Sequence, residues 1–196
     1  MAAKARRVCD MQDDLQTFLE APSAHHYRRV RESLLEEVST LDMPGILSPG
    51  SLVELVELAA SGEFSTLLER VEDLQPAWAL SPRVHFLAAI AAEESGAADI
   101  AELERFTFQA CLEGILATGD GTSEAPYLIT YLSDEFDVLA ALGLEPRSQR
   151  LVEQRGLLCD VARCLDGEEV WFELTGILHD PRQRAAEFAV LQGLRR

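Results

Sequence analysis

The stretch GDGTSEAPYLI, Gly119 to Ile129, followed by SDEFDVLAALG, Ser133 to Gly143, marks where the chain changes its hydrophobic period. Upstream of it apolar residues recur at helical spacing; downstream they alternate. Tyr127-Leu128-Ile129 predicts a short strand. Ser133 predicts an N-cap, with Asp134 and Glu135 suited to the positive end of a helix dipole. Phe136, Leu139 and Ala140 supply an apolar face, and Gly143 a stop. Three more strands are expected, over 149–153, 157–163 and 169–174. The connections Gln154-Arg155-Gly156 and Asp166-Gly167 are short and turn-like, so an antiparallel meander is predicted. Val170, Phe172 and Leu174 should face the core, joined by Leu151 and Val161. Asp180-Pro181 then opens a closing helix with Ala185, Phe188, Ala189 and Leu191 on its apolar side.

Upstream, Tyr27, Val30, Leu34, Leu35 and Val38 fall on one helical face, and Met11, Leu15, Phe18 and Leu19 predict either a short helix or an N-terminal arm. The run Met43 to Ser51 is dense in Pro and Gly and reads as a loop. Two segments, 51–64 and 84–100, each place a helix before a glycine and another after it. Gly62 and Gly96 lie 34 residues apart, the period of the tetratricopeptide helical hairpin. The consensus Trp, Tyr and Pro positions of that repeat are mostly unmatched, so a generic pair of antiparallel helical hairpins accounts for the same pattern. Ala88, Ala89, Ala91 and Ala92 suit close helix crossing.

The resulting expectation is an α+β protein. A tetratricopeptide-like antiparallel helical layer precedes a small antiparallel sheet of three or four strands, with a helix inserted after the first strand and a C-terminal helix. The parts are an N-terminal segment 1–24, a helical region 25–118, a small α+β domain 119–175 and a closing helix 176–196 that packs back.

Hydrophobic content of 47% with 26% charged residues is that of an ordinary globular chain, which argues against wholesale disorder. No apolar run approaches the roughly 18 residues of a membrane helix. Asp10, Asp13 and Asp14 occupy the place of a signal peptide's hydrophobic region, so a cytoplasmic location is expected. The four cysteines, at 9, 111, 159 and 164, form no CxxC and no zinc set, and alternation sends Cys159 and Cys164 to opposite strand faces. Buried free thiols are expected. The net charge is −17, and residues 41–118 carry 3 basic against 13 acidic side chains. Such a surface repels nucleic acid and anionic membranes and suits a basic protein or peptide partner, with homo-oligomerisation also open. The cluster His25, His26, Arg28, Arg29, Arg31 is the local exception, expected as a solvated face paired with Glu32, Glu36 and Glu37.

The loop Gly119, Asp120, Gly121, Thr122, Ser123 tempts a phosphate or calcium reading. It lacks the Lys and immediate helix of a phosphate loop, and the ligand spacing of a calcium loop. A tight turn with Asp120 bonding backbone amides is the simpler expectation. Convergence of Asp120, Asp134 and Asp160 would make a hydrolase or metal-dependent site. His85, in an Ala-rich helix, reads as a buried hydrogen-bonded imidazole. No nucleophile or dinucleotide motif is present, and no cofactor is implied. Catalysis finds no positive support. A non-catalytic protein-binding or adaptor module is the preferred reading, with a small-ligand sensor as a further alternative.

Residues 81–174 resemble an uncharacterised bacterial family, a domain of unknown function. The resemblance rests on Gly119-Asp120-Gly121-Thr122-Ser123, Tyr127-Leu128-Ile129 and Leu139 to Leu144. It continues through Gln149-Arg150-Leu151-Val152, Cys159-Asp160-Val161 and Phe172-Glu173-Leu174. Cys159 stands where the family is aromatic, and Glu173 where it is Asp-like. The resemblance implies a helical segment with tetratricopeptide character followed by strands, and no activity. Trp171 alternates with Glu169 and Glu173 on the face expected to be solvated. A lone Trp there wastes apolar surface, so it should be at least half buried, against the closing helix or the helical layer, or else serve as an interface.

Overall fold

The computed structural model describes residues 2–40 and 49–177. Six helices come first: α1 (Ala2–Glu20), α2 (Ala24–Thr40), α3 (Pro49–Ser61), α4 (Phe64–Trp78), α5 (Pro82–Glu94) and α6 (Ala98–Leu116). After them come β1 (Tyr127–Leu128), α7 (Asp134–Ala141), β2 (Pro146–Gln154), β3 (Leu157–Cys164) and β4 (Glu169–Glu173). The fold is α+β. The closing helix expected after Pro181 and most of the 43–51 loop lie outside the described residues. Among the described residues no helix is long and apolar enough to cross a membrane.

The two hairpins read from the glycines are built alike. Gly62 and Gly96 have φ of 76° and 75°. The next residue donates back to the helix it leaves, Glu63 N to Leu58 O at 2.9 Å and Ala97 N to Ala92 O at 2.8 Å. Each is the left-handed cap that closes a helix and turns the chain. Ala88, Ala89, Ala91 and Ala92 are all buried on α5, which lets α6 pack close along it. The α1–α2 hairpin does not simply extend this stack; α2 packs on α6 and α4, and α1 on α6.

The four strands lie in the order β1-β4-β3-β2. The meander is antiparallel as expected, and Arg155 and Gly156, both at positive φ, make its two-residue β2–β3 turn. The edge is not as expected: β1 runs parallel to β4, so the sheet is mixed. The inserted helix explains this. α7 returns the chain so that β2 starts in the direction of β1, and β4, two strands on, runs that way again. The result is a split β-α-β unit with β4 and β3 filling the gap.

Register also corrects one core assignment. Asp160 stands opposite Phe172, while Val161 stands opposite Trp171. Val170, Phe172 and Leu174 are buried in the main core with Leu151 packed against it. Val161 is buried on the other face and does not join them. That main core is one contiguous cluster from Met11 to Leu174, so helices and sheet share it.

Candidate functional site

The Gly119–Ser123 loop is where the last helix of the stack meets the sheet. The amides of Asp120 and Gly121 both donate to Ala125 O, at 2.9 and 3.1 Å, closing the loop on itself. Asp120 Oδ1 accepts from Thr122 N at 3.0 Å, and Thr122 Oγ1 accepts from Ala125 N at 3.2 Å. The Thr122 hydroxyl and amide hold the exposed Asp120 carboxyl below its ordinary range. Trp171 N donates to Gly121 O at 2.9 Å, stitching the loop to β4. A Cβ at Gly119 would fall 2.3 Å from Ala125 O and 2.4 Å from Pro126 O. Gly121 has φ of 75°, and a Cβ there would meet the Tyr127 ring at 2.6 Å. Gly119 is therefore demanded by backbone packing and Gly121 by its left-handed φ and the Tyr127 ring, and Asp120 turns its carboxylate on its own loop.

Beside this loop lies a cleft of about 430 Å³ lined by Asp120, Thr122, Tyr127, Leu144, Glu168 and Val170, among others. Asp120 stands at the surface, whereas Asp134 and Asp160 are both 0% exposed. Among the described residues no group of three or more His, Cys, Asp or Glu side chains could hold a metal ion.

Asp134 does different work. Its Oδ2 accepts from Thr130 N and Tyr131 N, both at 2.9 Å, pinning the chain between β1 and α7. Ser133, expected to cap α7, makes no side-chain cap bond, and its backbone is already helical, with φ of −63° and ψ of −27°, where a capping residue is extended. Burial pushes the Asp134 carboxyl well above the carboxylate range, against the pull of those two amides. Its Oδ1 has no partner among the described residues, which a neutral acid tolerates better than a carboxylate.

Around Asp134 the α2 helix reaches into the sheet. Tyr27 Oη and Thr130 Oγ1 are 2.7 Å apart and buried. Arg31 Nε donates to Ile129 O at 2.9 Å, and its Nη2 to Thr175 O. Arg28 Nη2 donates to Thr118 O, and Arg29 pairs with Asp14 at 2.6 Å. Within the basic cluster His25 and Arg29 stay exposed as expected, whereas Arg31 is buried. Arg28 and Arg31 strap α2 to the carbonyls where α6, β1 and β4 end. Position 31 lies one turn after Tyr27 and three residues before Leu34, so the apolar stripe itself carried the signal that Arg31 points inward. From the other side Tyr131 stacks on Trp78 at 4.8 Å and donates to Ala77 O. Arg83 of α5 pairs with the buried Asp137 of α7.

His85 is buried, as its surroundings predict. Its Nε2 lies 3.0 Å from Ala79 O and its Nδ1 2.6 Å from Glu104 Oε2. Both ring nitrogens are spent on internal partners, which leaves neither for a metal or substrate. The described thiols Cys111, Cys159 and Cys164 are free and buried, and burial pushes each up, away from the reactive thiolate. Trp171 is partly buried, with the Arg150 guanidinium 5.6 Å from its ring centre. The helix expected to cover it lies outside the described residues.

On the helical hairpins every carboxylate of α3–α6 except Glu104 is exposed. Each of the three basic residues in 41–118 is already engaged: Arg70 with Glu54, Arg83 with Asp137, Arg105 with Glu93.

No curated protein and no solved structure gives a significant match to the chain. A family model does match, over residues 66–183, more than half of the chain and all of the stretch that carries the motif resemblance. Its span takes in α5, α6, the glycine loop and the whole sheet. The chain belongs to the family described as a domain of unknown function, DUF4919.

Proposed function

We propose that the protein is a non-catalytic binding module that recognises a basic protein or peptide through the acidic surface of its helical hairpins. The observation that carries this reading is the engagement of Arg70, Arg83 and Arg105 by internal carboxylates. With the local cations neutralised, the exposed Glu57, Glu69, Glu72, Glu94, Asp99 and Glu102 present one sign of charge outward. A field of that kind steers a cationic partner and repels nucleic acid phosphates and anionic membranes. The absence of catalysis fits the enclosed Asp134 and Asp160, the occupied His85 and the raised thiols. Buried free thiols suit a reducing compartment, and we place the protein in the cytoplasm.

The test is retention of partners from lysate at low salt by the wild-type protein and by a triple Glu57→Lys, Glu69→Lys, Glu72→Lys variant. The proposal expects salt-sensitive retention that the variant loses. Equal retention by both, or none beyond the protein itself, ends it.

A further inference from the structure

We propose that the groove between α1 and α6 receives the apolar face of a basic amphipathic helix from a partner protein. The inference rests on the protein-binding reading above and names a place and a partner for it.

Helix α6 is apolar over more of its surface than it buries. Ala101, Ala110, Cys111 and Ile115 are buried toward the fold. On the flank beside that stripe Ile100, Leu103 and Phe106 are 48%, 58% and 52% exposed, at spacings of three residues. A helix that only closes a core needs no more apolar surface than it buries, and the exposed flank needs a cover. Leu15 and Leu19 of α1 form the facing wall, and together with Leu103 and Phe106 they enclose a groove of about 390 Å³.

Its length and charge limit what fits. Gln12 to Glu20 along the α1 wall spans about 12 Å at the rise of an α-helix, the length of two turns of a docked helix. Its rim is polar or acidic. Gln12, Gln16 and Glu20 lie along α1, and Gln16 donates to Glu20. On α6 Asp99 sits one turn before Leu103, and Glu102 one turn before Phe106; both are exposed. Arg105 is drawn away to Glu93 at 2.7 Å. An apolar floor with an acidic rim is complementary to a helix with Leu, Ile or Phe on one face and Lys or Arg beside it. A second copy of this chain, at a net charge of −17, meets the same rim with repulsion.

The experiment uses the full-length protein and a fluorescein-labelled Leu/Lys amphipathic peptide of about 18 residues, long enough to form a helix on a surface. A sequence-scrambled peptide and a Leu/Glu peptide serve as controls. The proposal expects the Leu/Lys helix to bind and the controls to fail. Leu103→Ala and Phe106→Ala, both at exposed positions that leave the circular dichroism unchanged, should each weaken binding about tenfold, as for a central apolar anchor. A benzophenone crosslinker placed at Leu103 should capture the peptide. Salt-sensitive binding that ignores both substitutions overturns the groove and leaves the acidic-surface reading standing. No binding by the wild type sinks both. Capture of a second copy, or of the chain's own residues, by the crosslinker overturns the choice of occupant.

Discussion

The helical hairpins and the junction between α2 and the sheet are held by opposite kinds of interaction. In the hairpins the contacts are mostly between neighbouring helices, with the buried His85–Glu104 pair as the enclosed polar exception. One glycine turns each pair, alanines set the helix spacing, and the ion pairs lie on the surface. At the junction polar contacts join parts of the chain about a hundred residues or more apart, Tyr27 to Thr130 and Arg31 to Ile129 and Thr175, around the buried Asp134, which holds the amides just before α7. A local hairpin loses little when one piece is changed, because its neighbours hold the geometry. An enclosed polar strap has no water to replace a lost partner, so each deletion strands the other side.

That contrast can be broken by substitution. The largest effect is expected from Arg31→Met, which keeps the aliphatic stem and removes the guanidinium. The buried Ile129 carbonyl and the part-buried Thr175 carbonyl then lose their donor, and denaturant unfolding should show a loss of about 3 kcal/mol. Gly119→Ala pushes a methyl against two backbone carbonyls that cannot swing aside. A loss of about 2 kcal/mol is expected, with the loop's amide resonances displaced. Gly96→Ala, in the hairpin, pays only for its left-handed backbone, since nothing lies within 4 Å of the added carbon. About 1 kcal/mol is expected there. A Gly96→Ala cost equal to that of Arg31→Met would erase the distinction.

Asp134→Asn sharpens the contrast through pH and should change neutral-pH stability by less than about 1 kcal/mol. Burial raises the folded-state value of Asp134, with Asp137 adding to the rise and Arg31 opposing it. Asp137 is itself raised by burial, against the pull of Arg83. Folding therefore takes up protons at both groups. Their contribution is complete below the unfolded carboxylate value of about 4 and is lost as pH rises through the folded values. Stability measured from acid toward neutral pH should fall in part through Asp134, and Asp134→Asn should flatten that slope. An unchanged slope would mean that Asp134 is already ionised when folded.

What was legible in the chain follows the same division. The hairpins, α7 and the β2–β3–β4 meander are set by spacing, turn glycines and alternation, all local signals. The parallel edge was not legible, because the direction of β1 depends on where α7 delivers the chain. The burial of Arg31 is not legible either, because in the sequence its charge argues for solvent against its place on the stripe of Tyr27 and Leu34. Val161 was placed on the core face because alternation within a strand leaves open which set faces in. The pairing with β4 settles that, and it sends Asp160 inward beside Phe172. The role of the Gly119–Ser123 loop as a tight turn was legible from its Asp and Gly content. The close approach that requires Gly119 was not, since the carbonyls it meets are known only once the loop closes.

The chain has two tryptophans, one at the end of a helical hairpin and one in the sheet. Trp78 ends the α3–α4 hairpin and stacks on Tyr131, while Trp171 lies on β4. The most direct test of a shared core is denaturant unfolding of the single-tryptophan variants Trp78→Phe and Trp171→Phe, each followed by its own fluorescence and by far-ultraviolet circular dichroism. One cooperative unit predicts that within each variant the fluorescence and dichroism midpoints coincide. A sheet that loses its Trp171 signal while the helices remain folded would contradict it.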